Sequence, residues 1–166
     1  MPVIKQGSKL RYEIVTSNGV MPLTIRLDSL ASDFVKLGWM MENQSSGSWI
    51  MKKQSIESAI GGYWNQLEPD MAVELQGTQS TVFLSKGLWD ALQKDKKILF
   101  DTKTYQLKSP SEKQQFKLGD KLVDALFMET EDASSRIWVL NNPVYRVMLK
   151  IEGNSAGVDA ELKSID

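Results

Sequence analysis

Lys9-Leu10-Arg11-Tyr12-Glu13-Ile14, then Ser17-Asn18-Gly19, then Leu23-Thr24-Ile25-Arg26-Leu27-Asp28: this stretch decides the fold class. On either side of the turn residues, apolar and polar side chains alternate one for one. Successive side chains of a strand point to opposite faces, so Leu10, Tyr12 and Ile14 share one face and Lys9, Arg11 and Glu13 the other. Leu23, Ile25 and Leu27 repeat the arrangement against Thr24, Arg26 and Asp28. Asn18-Gly19 tolerates the positive φ that a tight reversal needs, so the two runs read as an antiparallel hairpin with one wet side.

The alternation continues outward. Over 34–42, Val35, Leu37, Trp39 and Met41 fall on one face, while Phe34 and Met40 keep the other partly apolar. Ser45-Ser46-Gly47 is expected to turn the chain into a strand over 48–52. The period then changes: Ile56, Ile60, Tyr63 and Leu67 follow helical spacing, with Ser55 as N-cap, which predicts a helix over 55–66. Gly61-Gly62 inside it costs about 1 kcal/mol per glycine relative to alanine, and Pro69 marks the exit. Strands are expected over 71–75 and 81–84. A second helix over 85–94 is capped by Ser85 and buries Leu88, Trp89 and Leu92. Strands resume over 98–101, 105–107, 113–118, 121–129, 136–140, 146–151 and 158–165, separated by Ser109-Pro110, Gly119-Asp120, Asn141-Asn142-Pro143 and Gly153-Asn154. Closely spaced strands without alternating helices predict an antiparallel sheet, and residues 1–166 read as a single domain.

Composition narrows the function. Twenty basic against 21 acidic residues leave a formal charge of -1, which gives no electrostatic case for nucleic acid. The lysines between Lys94 and Lys121 are interleaved with Asp95, Asp101, Glu112 and Asp120, as on a solvated face. No apolar run approaches the roughly 20 residues of a spanning helix. Met1-Pro2-Val3-Ile4-Lys5 lacks a charged segment followed by an apolar one, so no signal peptide is expected within it. With neither cysteine nor histidine, the chain has no disulfide, thiolate nucleophile, His-based triad or usual zinc site. No cofactor is expected: Gly61-Gly62 is not a phosphate loop, and Leu84-Ser85-Lys86 is not a Ser-x-x-Lys nucleophile.

Carboxylates are the remaining acid–base candidates. Glu129-Thr130-Glu131-Asp132 is the densest group, and Glu129 and Glu131 at i and i+2 would share a strand face, where one could have its pKa raised. An exposed turn accounts for the same residues. The unusual wealth is in soft apolar side chains, five Trp and eight Met. Trp39, Met41, Trp49, Met51, Trp64 and Trp138 are the candidate lining of a pocket for an acyl chain, with an ordinary core as the alternative. Over 121–129, Leu122, Leu126 and Met128 oppose Val123, Ala125 and Phe127. One of these faces can meet the helices; the other needs a ligand, a partner or the sheet's own curvature to cover it.

Arg136-Ile137-Trp138-Val139-Leu140-Asn141-Asn142-Pro143 leading to Val147-Met148-Leu149-Lys150-Ile151 resembles the closing strands of the periplasmic lipoprotein-carrier-like superfamily. Phe83-Leu84-Ser85-Lys86 before a helix, and Glu161-Leu162-Lys163-Ser164-Ile165, also resemble secreted proteins of Bacteroidetes-type bacteria. The resemblance implies a mainly β (α+β) half-barrel: a single strongly curved antiparallel sheet of about ten strands with two short helices packed on its concave face. It further implies a periplasmic or secreted, non-catalytic domain whose apolar concavity holds a lipid or hydrophobic ligand, or an envelope protein. The rival reading is a structural domain docking a partner through a sheet edge or an apolar strand face; a hydrolase using Glu129 and Glu131 is the third.

Overall fold

The computed structural model describes residues 3–63 and 67–166. β1 (Lys9–Thr16), β2 (Gly19–Leu30), β3 (Phe34–Met41) and β4 (Ser46–Lys52) form a meander of antiparallel hairpins. After them come α1 (Lys53–Ser58), β5 (Gly61–Gly62), β6 (Ala72–Glu74), β7 (Gln79–Ser80) and α2 (Lys86–Asp95). The remainder comprises β8 (Lys97–Phe100), β9 (Lys103–Lys108), a 3-10 turn (Glu112–Gln114), β10 (Lys117–Leu118), β11 (Lys121–Leu122), β12 (Ala125–Glu129), β13 (Arg136–Leu140), β14 (Met148–Glu152) and β15 (Asp159–Ile165).

Eleven of these strands make one open sheet in the order β6-β4-β3-β2-β1-β15-β14-β13-β12-β9-β8. The molecule is mainly β, as the alternation predicts. The sheet is mixed where an antiparallel one was expected, because β6 runs parallel to β4 through Ser48↔Ala72 and Ile50↔Glu74. A parallel neighbour requires the chain to cross back before pairing, and α1 with the segment behind it supplies that crossover. The two ends of the chain meet mid-sheet: β1 pairs β15 through Leu10↔Ile165 and Tyr12↔Leu162.

Alternation becomes burial. Leu10, Tyr12 and Ile14 on β1, Leu23, Ile25 and Leu27 on β2, and Val35, Leu37 and Trp39 on β3 all turn to one buried face. Phe34 and Met40, on the opposite face, are exposed. The turn before β4 lies at Glu42-Asn43, ahead of the expected Ser45-Ser46-Gly47, with Gln44 in the left-handed region (φ 65). Gly47 is needed within the strand instead: it pairs with Trp39, and a Cβ there would stand 2.7 Å from the indole.

The first helix is shorter than its periodicity suggests. Ser55 is no cap; it lies inside α1, buried, and its hydroxyl donates to the Gln79 carbonyl. The helix ends at Ser58, and Gly61-Gly62 extends to pair with Gln79-Ser80 while the Gly62 N–H donates to the Asp101 carboxylate at 2.7 Å. Strand pairing replaces a helical conformation that glycine resists. Residues 64–66 of the predicted helix lie outside the described residues. The second helix matches its reading: Ser85 Oγ accepts from the Leu88 N–H, Leu88, Trp89 and Leu92 are buried, and Lys96 closes the helix in the left-handed conformation. The predicted strand over 113–118 is a 3-10 turn followed by two strand residues, and 121–129 is interrupted between Leu122 and Ala125.

Both faces of β12 and β13 are apolar, and each has its own cover. Met128, Ile137 and Val139 join Met148 and Ile151 in a cluster with Leu88, Trp89 and Leu92 of α2. On the other face the Phe127 and Trp138 rings meet at a tilt of 42° with centroids 4.9 Å apart, and Phe116 and Val123 pack with the same cluster. Trp138 Nε1 donates to the Gln114 carbonyl at 2.6 Å. The chain's own segment between β9 and β12 therefore covers the face for which a ligand or partner was one candidate.

Candidate functional site

A cavity of about 570 Å³ opens on the buried face of the sheet. Tyr12, Ile14 and Thr16 of β1 and Met21, Leu23 and Ile25 of β2 give one part of its lining. Met148 and Ile151 of β14 with Val158 and Ala160 give a second, and Trp49, Tyr63, Leu67, Thr81 and Val82 the rest. Ser17 and Asn18 of the β1–β2 turn and Ala156 and Gly157 before β15 also border it, and all four are exposed. The mouth therefore lies between these two connections, which the β1–β15 pairing brings side by side.

The lining is mostly apolar, and several of its polar groups are engaged elsewhere. Tyr12 Oη donates to the Met148 carbonyl at 2.8 Å, and burial raises the phenol's pKa far above its ordinary value. Thr16 Oγ1 accepts from the Asn18 N–H. Tyr63 is also shifted upward, by burial first and by the nearby Glu68 charge second. The charged member of the lining, Lys150, is turned away: it pairs with Trp138 in the ladder, and its Nζ stands 5.2 Å from that ring's centroid. There Lys150 also meets Glu152 at 2.9 Å and Glu161 at 3.2 Å. Trp49 Nε1 is buried and has no hydrogen-bond partner among the described residues.

Val82 carries backbone strain at the cavity wall. Its φ is 65, and the Phe83 N–H donates across it to the Thr81 carbonyl at 2.6 Å. This is a γ-turn in its strained form, centred on a β-branched residue that ordinarily avoids positive φ. The Val82 carbonyl in turn accepts from the Met148 N–H, tying the turn to β14.

The five candidate lining residues that the structure describes do not share one cavity. Trp49 lines the main cavity. Met51 lines a second one of about 450 Å³ with Ser55, Ser80, Phe83 and Arg146, and Trp138 borders a third of about 390 Å³ beside Gln114 and Val123. Trp39 is core, 6.3 Å from the Trp49 ring, and lines none of the three. Met41 is half-buried against the same core, and Trp64 lies outside the described residues. The aliphatic majority of the lining was visible in the sequence only as a buried strand face. Its small members, Thr16, Gly157 and Ala160, leave the space.

The carboxylate group is built for structure. β12 ends at Glu129, so Glu131 falls in the following turn and the two do not share a strand face. Glu129 is held below its ordinary pKa, first by the hydrogen bond from Lys108 (3.0 Å) and further by Arg136 (3.2 Å), the opposite of what a general acid needs. Asp132 is pulled down to about 2 by the Ser134 hydroxyl, the Ser134 N–H and the Thr130 hydroxyl, which close the turn. Among the described residues no cluster of three acidic side chains is arranged to hold a metal, and no helix is long and apolar enough to cross a membrane.

No model of a known protein family and no curated protein matches the chain.

Proposed function

We propose that the chain is a non-enzymatic binding module that holds a lipid or another hydrophobic ligand in the cavity between β1, β2, β14, β15 and Trp49. The observation that carries this reading is an apolar space of about 570 Å³ with an exposed mouth. Small-molecule sites occupy about 300–1,000 Å³ and are lined mainly by apolar side chains. An unfilled core space forfeits dispersion contacts along its lining, so an occupant of matching polarity is favoured. The strained Val82 turn supports the same place, because backbone outliers concentrate at functional sites.

In this reading the sheet bends around the cavity in the manner of the half-barrel carriers, and the protein works in the cell envelope, as the resemblance of the closing strands implies. Docking through a sheet edge is less favoured. The edge strands β6 and β8 are short, three and four residues, and β8 begins at Lys97. Short edges, one of them opening on a lysine and the other ending on a glutamate, discourage strand addition.

The test is uptake of the neutral dye Nile red, with native mass spectrometry of the purified protein for co-purifying lipid. Ala160, opposite Ile14 and Ile151 in the ladders, is the place to fill the space. Ala160→Phe is expected to lower dye affinity at least tenfold while the circular dichroism spectrum stays unchanged. A wild-type protein that takes up neither dye nor lipid would sink the reading. Detection in cytoplasmic rather than envelope fractions of the source cells would sink the proposed location.

A further inference from the structure

Trp49 is 6% exposed, lines the cavity, and carries an indole N–H that has no partner among the described residues. Tyr12 Oη, which lines the same cavity, is satisfied by the Met148 carbonyl, and Trp138 Nε1, beside a different cavity, by the Gln114 carbonyl; the other buried side-chain atom without a partner among the described residues, Ser80 Oγ, belongs to the second cavity. Buried donors in folded proteins are nearly always paired, and one that is not calls for a reason. The ring of Tyr63 meets Trp49 edge-on with centroids 6.2 Å apart, which packs the indole without giving its N–H an oxygen.

The charge around the cavity limits what can supply that oxygen. Lys150 is committed to Trp138, Glu152 and Glu161 on the opposite face of the sheet. A carboxylate brought to Trp49 would thus be buried with no countercharge, which is strongly unfavourable. A neutral carbonyl needs one donor and no cation.

We propose that Trp49 Nε1 is a ligand-recognition donor, and that the cavity takes a neutral long-chain acyl ester. The ester carbonyl accepts from the indole, and the alkyl chain lies along Ile14, Leu23 and Ile25. This assignment rests on the binding reading above and names the ligand class for it.

Displacement of Nile red by dodecane, methyl undecanoate and dodecanoate, measured at pH 8 for wild type and Trp49→Phe, tests it. Wild type is expected to bind the methyl ester about five- to tenfold more tightly than the alkane, the net worth of one neutral hydrogen bond, and more tightly than the carboxylate. Trp49→Phe should collapse the ester-to-alkane affinity ratio from about five- to tenfold to about one, whatever the change in ring volume does to both ligands together. Should that variant fail to fold, the indole N–H resonances of wild type give the answer directly: one of them should move downfield with the ester and stay with the alkane. Equal affinity for ester and alkane in wild type, an ester-to-alkane ratio in the variant that stays at the wild-type value, or preference for dodecanoate would overturn the donor role while leaving the cavity a binding site. No displacement by any of the three, with no dye bound at the start, would overturn the binding reading itself.

Discussion

Tyr12 joins packing to chemistry at a single residue. Its ring belongs to the buried face of β1 and to the cavity lining, and its hydroxyl reaches past β15 to the Met148 carbonyl on β14. Removing that donor should cost about 1 kcal/mol at neutral pH, the usual net value of one hydrogen bond. Its ionisation matters at high pH. Burial raises the folded-state pKa, so below the unfolded value of about 10 the phenol is neutral in both states and its contribution is fully present. As pH rises beyond about 10, the unfolded chain releases the proton while the folded one retains it, and stability falls. Tyr12→Phe is therefore expected to lower the urea midpoint at pH 7 and to show a shallower alkaline decline than wild type. Parallel pH profiles for the two proteins would contradict this account.

At the scale of elements, the contrast between the helices is instructive. α2 has consistent local signals: a serine cap, a buried stripe of Leu88, Trp89 and Leu92, and a left-handed residue at its end. Ser85 has two partners, accepting from the Leu88 N–H and donating to the Ala59 carbonyl at 2.7 Å, so it fastens α2 to the exit of α1. Ser85→Ala should cost about 1–2 kcal/mol, read from thermal unfolding, and Ser85→Thr should recover part of it. In α1 the local signals conflict. Ile56, Ile60, Tyr63 and Leu67 have helical spacing, yet Gly61-Gly62 pairs with Gln79-Ser80 and leaves Ile60 53% exposed. Strand alternation over 9–41 was legible because each residue's face follows from its immediate neighbours. A helix interrupted by a distant strand was not, because the competing partner lies elsewhere in the chain.

At the scale of the whole molecule, the defining feature is the seam where the two ends of the chain meet. β1 and β15 join the meander β2–β4 to the C-terminal strands, and Leu162, buried opposite Tyr12, sits in that seam. Leu162→Ala removes a large side chain where neighbours on both strands cannot easily collapse, so a loss of about 2–5 kcal/mol is expected. Against a typical total of about 5–15 kcal/mol, this should appear as a large fall in the denaturation midpoint with loss of cavity binding. Pairing between ends so distant in sequence also predicts slow folding, because the loop must close before the contacts form. Residue order alone was enough to read a mainly β protein, the inward faces of β1–β3, the start of α2 and what it buries, and the absence of His- and Cys-based chemistry. Those properties depend on residue identity and on neighbours along the chain. Packing in three dimensions was needed to set β6 parallel to β4, to lay residues 112–123 over Trp138, to bring Lys108 and Arg136 onto the ionised Glu129, and to leave one buried face hollow beside Trp49. Whether a face is filled depends on what stands opposite it, and here the opposing walls come from segments far apart in the chain.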